Sequence, residues 1–152
     1  MPRNDFPEIG AIRYIKQNDI EKPFDNILKR KNKIGLPEVF DYNIGQRHSL
    51  IYDYNDNILA FLVVDEYHDH FYLNLIENNQ LFWEECRCVN PAPKLIFFVE
   101  KVALSRDHSW IMLDSLKSTK LVAYYQTLGY SKVGDEIHPS YGYVIKMKKI
   151  LN

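Results

Sequence analysis

Glycine is scarce in this chain, at 6 of 152 residues. Loops in which bare backbone can close on a phosphate from several sides are therefore few. Cysteine is scarcer still, with Cys86 and Cys88 alone. Their C-x-C spacing strains an intrachain disulfide and supplies at most half of a structural zinc site, so both read as free thiols in a reducing compartment. Neither sign of charge dominates: 19 Lys and Arg face 20 Asp and Glu. A global attraction to nucleic acid or anionic lipid is excluded, and any partner must be met at a local site. Long apolar runs are missing too. The longest, Ile58 to Val64, is far short of a bilayer span. The opening Met1-Pro2-Arg3-Asn4-Asp5 has no apolar stretch of the secretory kind, so the expected setting is cytoplasmic, with no membrane partner.

What the chain does have is apolar and aromatic mass. Hydrophobic residues make up 46% and charged residues 26%, a balance that suits a packed domain burying roughly 70% of its unfolded surface and excludes a disordered tail. No repeat, low-complexity tract or Ser/Gly-rich linker divides it, so residues 1–152 read as one domain.

Periodicity supplies the elements. Ala11 to Lys16 alternates like a half-buried strand, and Asn18-Asp19 offers a helix cap ahead of Ile20, Phe24, Ile27 and Leu28 at helical spacing. The basic Lys29-Arg30-Lys31-Asn32-Lys33 that follows reads as a solvated helix end in preference to a nucleic-acid or phosphate site. A meander comes next: His48 to Tyr54, a turn at Asn55-Asp56-Asn57, Ile58 to Asp65, then Phe71 to Ile76. Ile58 to Val64 is apolar at every position, as a central strand covered on both faces is. Residues Asn78 to Asn90, with Leu81-Phe82-Trp83, fit a strand, a helical turn or an aromatic loop equally well. After Asn90-Pro91-Ala92-Pro93, the stripe Leu95, Phe98, Val99 and Val102 makes a helix to about Ser105. Trp110 to Leu113 is a buried strand, and Ser118 or Thr119 caps a helix carrying Leu121, Tyr124, Tyr125 and Leu128 up to Gly129. Strands Tyr130 to Val133 and Tyr141 to Ile150 close the chain. The class is an α/β layered domain.

The string Leu121-Val122-Ala123-Tyr124-Tyr125-Gln126-Thr127-Leu128-Gly129-Tyr130 resembles the late helix and strand of the GNAT superfamily of acyl-CoA-dependent N-acyltransferases. Pro93 to Met147 carry most of the resemblance, and Ile12 to Ile27 look like its opening strand and helix. It implies a mixed, mostly antiparallel sheet of about six to seven strands with helices on both faces. It also implies acetyl-CoA or another acyl-CoA as cofactor, and a small-molecule or peptide amine as acceptor. The family's phosphate loop has its nearest counterpart in Arg87-Cys88-Val89-Asn90-Pro91-Ala92. Asn90 stands where that pattern has its first glycine, and Pro91 and Pro93 carry no N–H to offer a diphosphate. By resemblance Arg87, Val89, Asn90 and Ala92 line the cofactor, aided by Lys94 and the amides of Leu95 and Ile96. Ser118, seven positions before Tyr125, stands where relatives place an asparagine against the cofactor arm.

Direct attack of an amine on a thioester needs a base for the ammonium proton and an acid for the thiolate. Tyr125 matches the family's tyrosine acid, and a phenol stays protonated at neutral pH. Glu77, closing the strand after Phe71, is the preferred base, with Glu84, Glu85 and Asp114 behind it. His68-Asp69-His70 lacks a third ligand by spacing and reads as a polar turn, so no metal is expected. No Gly-x-Ser-x-Gly elbow supports Ser/His/Asp catalysis. Two readings remain open: an N-acyltransferase, and a scaffold of the same shape that binds ligand or protein without turnover because its phosphate loop has degenerated. The tyrosine-rich last strand is also suited to pairing with a second copy in a homodimer.

Overall fold

Strand β3 (Asn57–Glu66) is the centre of the molecule, and its residues from Ile58 to Asp65 are all buried. In the computed structural model, which describes residues 4–25, 34–139 and 142–152, it lies inside one seven-stranded sheet. The others are β1 (Ile12–Tyr14), β2 (Arg47–Tyr54), β4 (His70–Asn78), β5 (Trp110–Leu116), β6 (Ser131–His138) and β7 (Gly142–Ile150). Their spatial order is β1-β2-β3-β4-β5-β7-β6. Every neighbouring pair is antiparallel except β4 and β5. The β2–β3 hairpin turns on Asn55 and Asp56, both at positive φ (51° and 65°), the twist that a two-residue hairpin demands.

Helices cover both faces. α1 (Leu36–Tyr42) places Leu36 and Val39 against Ile51, Ile58, Phe61, Val63 and Leu75. On the opposite face α3 (Pro91–Ser105) seats Leu95, Ile96, Phe98, Val99, Val102 and Ala103 on Leu50, Ala60, Leu62, Val64, Phe71, Ile111 and Leu113. α4 (Thr119–Thr127) joins that layer through Val122 and Tyr125. A short α2 (Trp83–Val89) precedes α3. Among the described residues no helix is long and apolar enough to cross a membrane.

The helix expected after Asn18-Asp19 is a correction. Gln17–Asp19 form a single 3-10 turn, and 20–25 continue without α-helix. The reasons are local. Pro23 disfavours helical geometry at Lys22, and the Asp19 side chain is occupied elsewhere. It accepts two bonds from Arg13 (2.8 and 2.9 Å) and one from the Lys16 amide (2.8 Å), with Lys22 Nζ at 3.1 Å. Ile27, Leu28 and Lys29 to Lys33 lie outside the described residues, as does Tyr141. α1 carries its own start signals: Glu38 accepts from the Gly35 amide (2.9 Å) and Pro37 sits in its first turn.

Gly129 suits the place where α4 turns into β6. Its φ is +98°, and a Cβ there would meet Lys149 Cε at 3.0 Å. Gly129→Ala is expected to cost about 2 kcal/mol in chemical denaturation. Asp19 gives a pH prediction. Burial opposes its ionisation, but the Arg13 fork, the Lys16 amide and Lys22 outweigh it and hold the carboxyl well below the ordinary range. Its contribution is therefore complete above the unfolded carboxylate value near 4 and is lost as pH falls below that. Asp19→Asn should lower stability at pH 7 by about 3 kcal/mol and flatten the acid limb of a stability–pH curve.

Candidate active site

The parallel ladder between β4 and β5 runs only from His70–Leu73 against Trp110–Leu113. Past that point β4 stays with β3 and β5 stays with β7, so the two strands part. A β-bulge marks the divergence: Val63 pairs with Leu75 and Val64 with Leu73, leaving Asn74 as the extra residue. Asn74 Nδ2 donates to Asp65 Oδ2 (3.1 Å), and Arg47 grips the same carboxylate at 2.6 and 3.0 Å.

A cavity of about 500 Å³ fills the gap. Its walls are Tyr72 to Asn78 of β4, Leu113 to Leu116 of β5, Asn90 and Ala92 at the start of α3, Leu121, Tyr124 and Tyr125 of α4, and Glu136 and His138 of β6, with Gln80 and Val144. The expected acid and base both line it. Tyr125 is buried in the layer under α3 and α4, its ring edge-on to Tyr124 (5.3 Å) and Tyr130 (6.3 Å). Tyr130 is itself fixed by donating to Glu100 (3.0 Å), which also takes Lys149 Nζ (2.9 Å). Glu77 is buried and sits opposite Phe61, on the face that α1 covers. The cavity therefore runs through the sheet, with Tyr125 at one face and Glu77 at the other.

Tyr72 and Asp114 were not paired in the sequence reading. Burial first, then a hydrogen bond to Asp114, pushes the Tyr72 phenol far above its ordinary value, so it remains a donor to that carboxylate. Lys146 Nζ lies 3.9 Å from Asp114, 3.1 Å from Glu136 and 5.7 Å from the Tyr72 ring centroid. Among the described residues the cavity wall carries three carboxylates, Glu77, Asp114 and Glu136, and Lys146 lies against the last two. A pairing across the strand gap has no sequence signature, which is why Tyr72 and Ser115 are not among the expected site residues.

The expected phosphate loop is different in form. Arg87 and Val89 belong to the last turns of α2, Arg87 pointing to solvent, and neither lines the cavity. Lys94 is exposed, its Nζ 5.9 Å from the Tyr52 ring centroid, and Leu95 is in the core. Ser118 caps α4 by accepting from the Leu121 amide (3.5 Å). Of the residues assigned to the cofactor, the cavity brings together Asn90 and Ala92. Cys86 Sγ donates to Leu59 O (3.3 Å) and Asn79 O (3.6 Å), tying α2 to β3; burial pushes its thiol up, and Cys88 is exposed, both being free. Glu84 and Glu85 lie in the first turn of α2, away from the cavity wall. His68 is exposed while His70 stacks between Tyr67 and Trp110. Among the described residues no group of three metal-ligating side chains exists.

No family model matches the chain, and no curated protein matches it. Solved structures do. Ard1 from Thermoplasma volcanium superposes with a TM-score of 0.74 at 12% identity, over 93% of this chain and 97% of that one. Naa20 from Chaetomium thermophilum, solved in complex with a bisubstrate analogue, gives 0.71 at 16% identity over 93% and 87%. An aminoglycoside 6'-N-acetyltransferase complexed with coenzyme A gives 0.59 at 20% identity over 76% and 78%.

Proposed function

We propose, from the premise that the chain has the GNAT fold, that it is an N-acyltransferase moving an acetyl or other acyl group from a pantetheine thioester, acetyl-CoA being the first to test, to a primary amine. The observation that carries the reading is that Tyr125 and Glu77 reach one cavity from opposite faces of the split sheet. The donor supplies an acyl carbon activated by sulfur. Its uncharged arm fits the gap between β4 and β5, where diverging backbone edges offer N–H and C=O groups.

Glu77 takes a proton from the acceptor ammonium, directly or through water, which frees the nitrogen lone pair. The C–N bond forms as the C–S bond breaks, and Tyr125 delivers its phenol proton to the departing sulfur. The nitrogen sheds two protons in all; one balances the thiol and the phenol is restored, and the other goes to solvent. Glu77 is the carboxylate that meets a cationic amine in the acceptor half, Asp114 and Glu136 lying against Lys146. The acceptor is a small-molecule or peptide amine, and the whole chain acts as one cytoplasmic domain. The second reading, binding without turnover, has its support in the proline-rich start of α3.

Incubation with acetyl-CoA and a panel of polyamines, aminoglycosides and peptides should release free thiol only when an amine is present; binding without release would favour the second reading. Tyr125→Phe is expected to lower kcat by about 100-fold with donor affinity nearly unchanged. An unaltered kcat removes Tyr125 from the acid role. Glu77→Gln should cost most near pH 7 and progressively less towards pH 10, where the amine deprotonates unaided; a loss independent of pH would assign Glu77 to positioning.

A further inference from the structure

The start of α3 is closed to a diphosphate in a way that the cavity beside it is not. A helix leaves its first four N–H groups without internal partners, and these are what such an end offers an anion. In α3 they belong to Asn90, Pro91, Ala92 and Pro93. The Asn90 N–H is already given to Cys86 O at 2.8 Å, and the two prolines have none. Ala92 supplies the one remaining donor. α2 also runs directly into Asn90 and ends there with its carbonyls, the negative pole of a helix. That segment is fixed by Cys86 on Leu59 and Asn79, and Asn79 is fully buried, donating to Pro23 O (3.0 Å) and Ile58 O (2.7 Å). Arg87 and Lys94 are exposed, so their charges act through water and are worth little.

The gap between the strands has the opposite character. It is about 500 Å³, walled by Leu113, Leu116 and Tyr124 along with the open edges of 74–78 and 114–116. An uncharged chain bearing amide groups can lie there as a short strand would, exchanging backbone bonds with both sides. We infer that this protein recognises its donor through the pantetheine arm and draws little binding energy from the diphosphate and nucleotide. Acyl thioesters of pantetheine and of 4'-phosphopantetheine then serve as donors nearly as well as acyl-CoA. The inference rests on the acyl-transfer reading above.

Calorimetric titration of the full chain with CoA, 4'-phosphopantetheine and pantetheine tests it. Dissociation constants within about tenfold of one another are expected. CoA binding more than tenfold tighter than 4'-phosphopantetheine overturns the inference and leaves acyl transfer standing. Absence of binding by all three probes to folded protein removes the acyl-transfer reading and the inference together. Pro93→Ala returns one N–H to the first turn and is expected to tighten CoA by about fivefold with pantetheine unchanged; an equal change for both probes counts against the inference.

Discussion

The β4–β5 ladder stops after Leu73 and Leu113, and everything that gives this molecule a site follows from that interruption. Strands that stayed paired would carry the sheet unbroken from β1 to β6 and leave no opening between its two faces. The interruption is built in. Asn74 is inserted into β4 without a partner on β3, and its amide is held by Asp65, which is in turn held by the two-pronged Arg47. A bulge re-aims the strand beyond it, so that Leu75 faces the α1 layer while Leu73, two residues earlier, faces α3. β5 does not follow, because β7 holds it along its whole length from Trp110 to Leu116.

The same geometry explains how groups from opposite sides of a sheet come to share a cavity. Tyr125 is supported from behind by Tyr130, Glu100 and Lys149, a chain of hydrogen bonds with partners on α3, β7 and the α4–β6 turn. Lys149 also bonds the Leu128 carbonyl at 2.9 Å and packs where Gly129 has no side chain. The aromatic that follows that glycine is thus part of the mount for the candidate acid. A second polar cluster ties the end of β3 to α3 and β2. Glu66 gathers Arg106, His48 and His108, and Arg106 reaches the carbonyls of Asn4 and Asp5, pinning the chain start to the sheet.

Elements whose stability comes from a single periodic stripe were legible in the sequence. The β2–β3 hairpin, α3, α4 and its Ser118 cap all fall where apolar spacing and start signals place them. Of the cavity wall, what was legible rides on such an element, as Tyr125 does, or lies at a strand end, as Glu77 does. Tyr72 with Asp114 was not, because their meeting depends on which strands are neighbours across the crossover. α2 escaped for another reason. Its buried face amounts to Cys86 alone, and what holds the segment is Asn79, a polar residue whose side chain bonds Pro23, Ile58, Asp25 and Leu81 at once. Hydropathy does not register an anchor of that kind.

The scarcity of glycine has a narrower meaning than composition suggests. A Cβ at position 90 looks like an obstacle to a left-handed backbone, yet Asn90 adopts φ 55° and ends α2 in that conformation. Asparagine tolerates this region because its short polar side chain is accommodated there. Backbone freedom is therefore not what the start of α3 lacks. It lacks donors, since the turn that Asn90 makes spends its own N–H on Cys86 and is followed by two prolines within three residues. The two deficits have different remedies and different consequences: a missing glycine would bar the bend itself, whereas missing N–H groups leave the bend intact and remove its attraction for an anion. The start of α3 therefore has the bend without the donors, and an anion finds little there to bind.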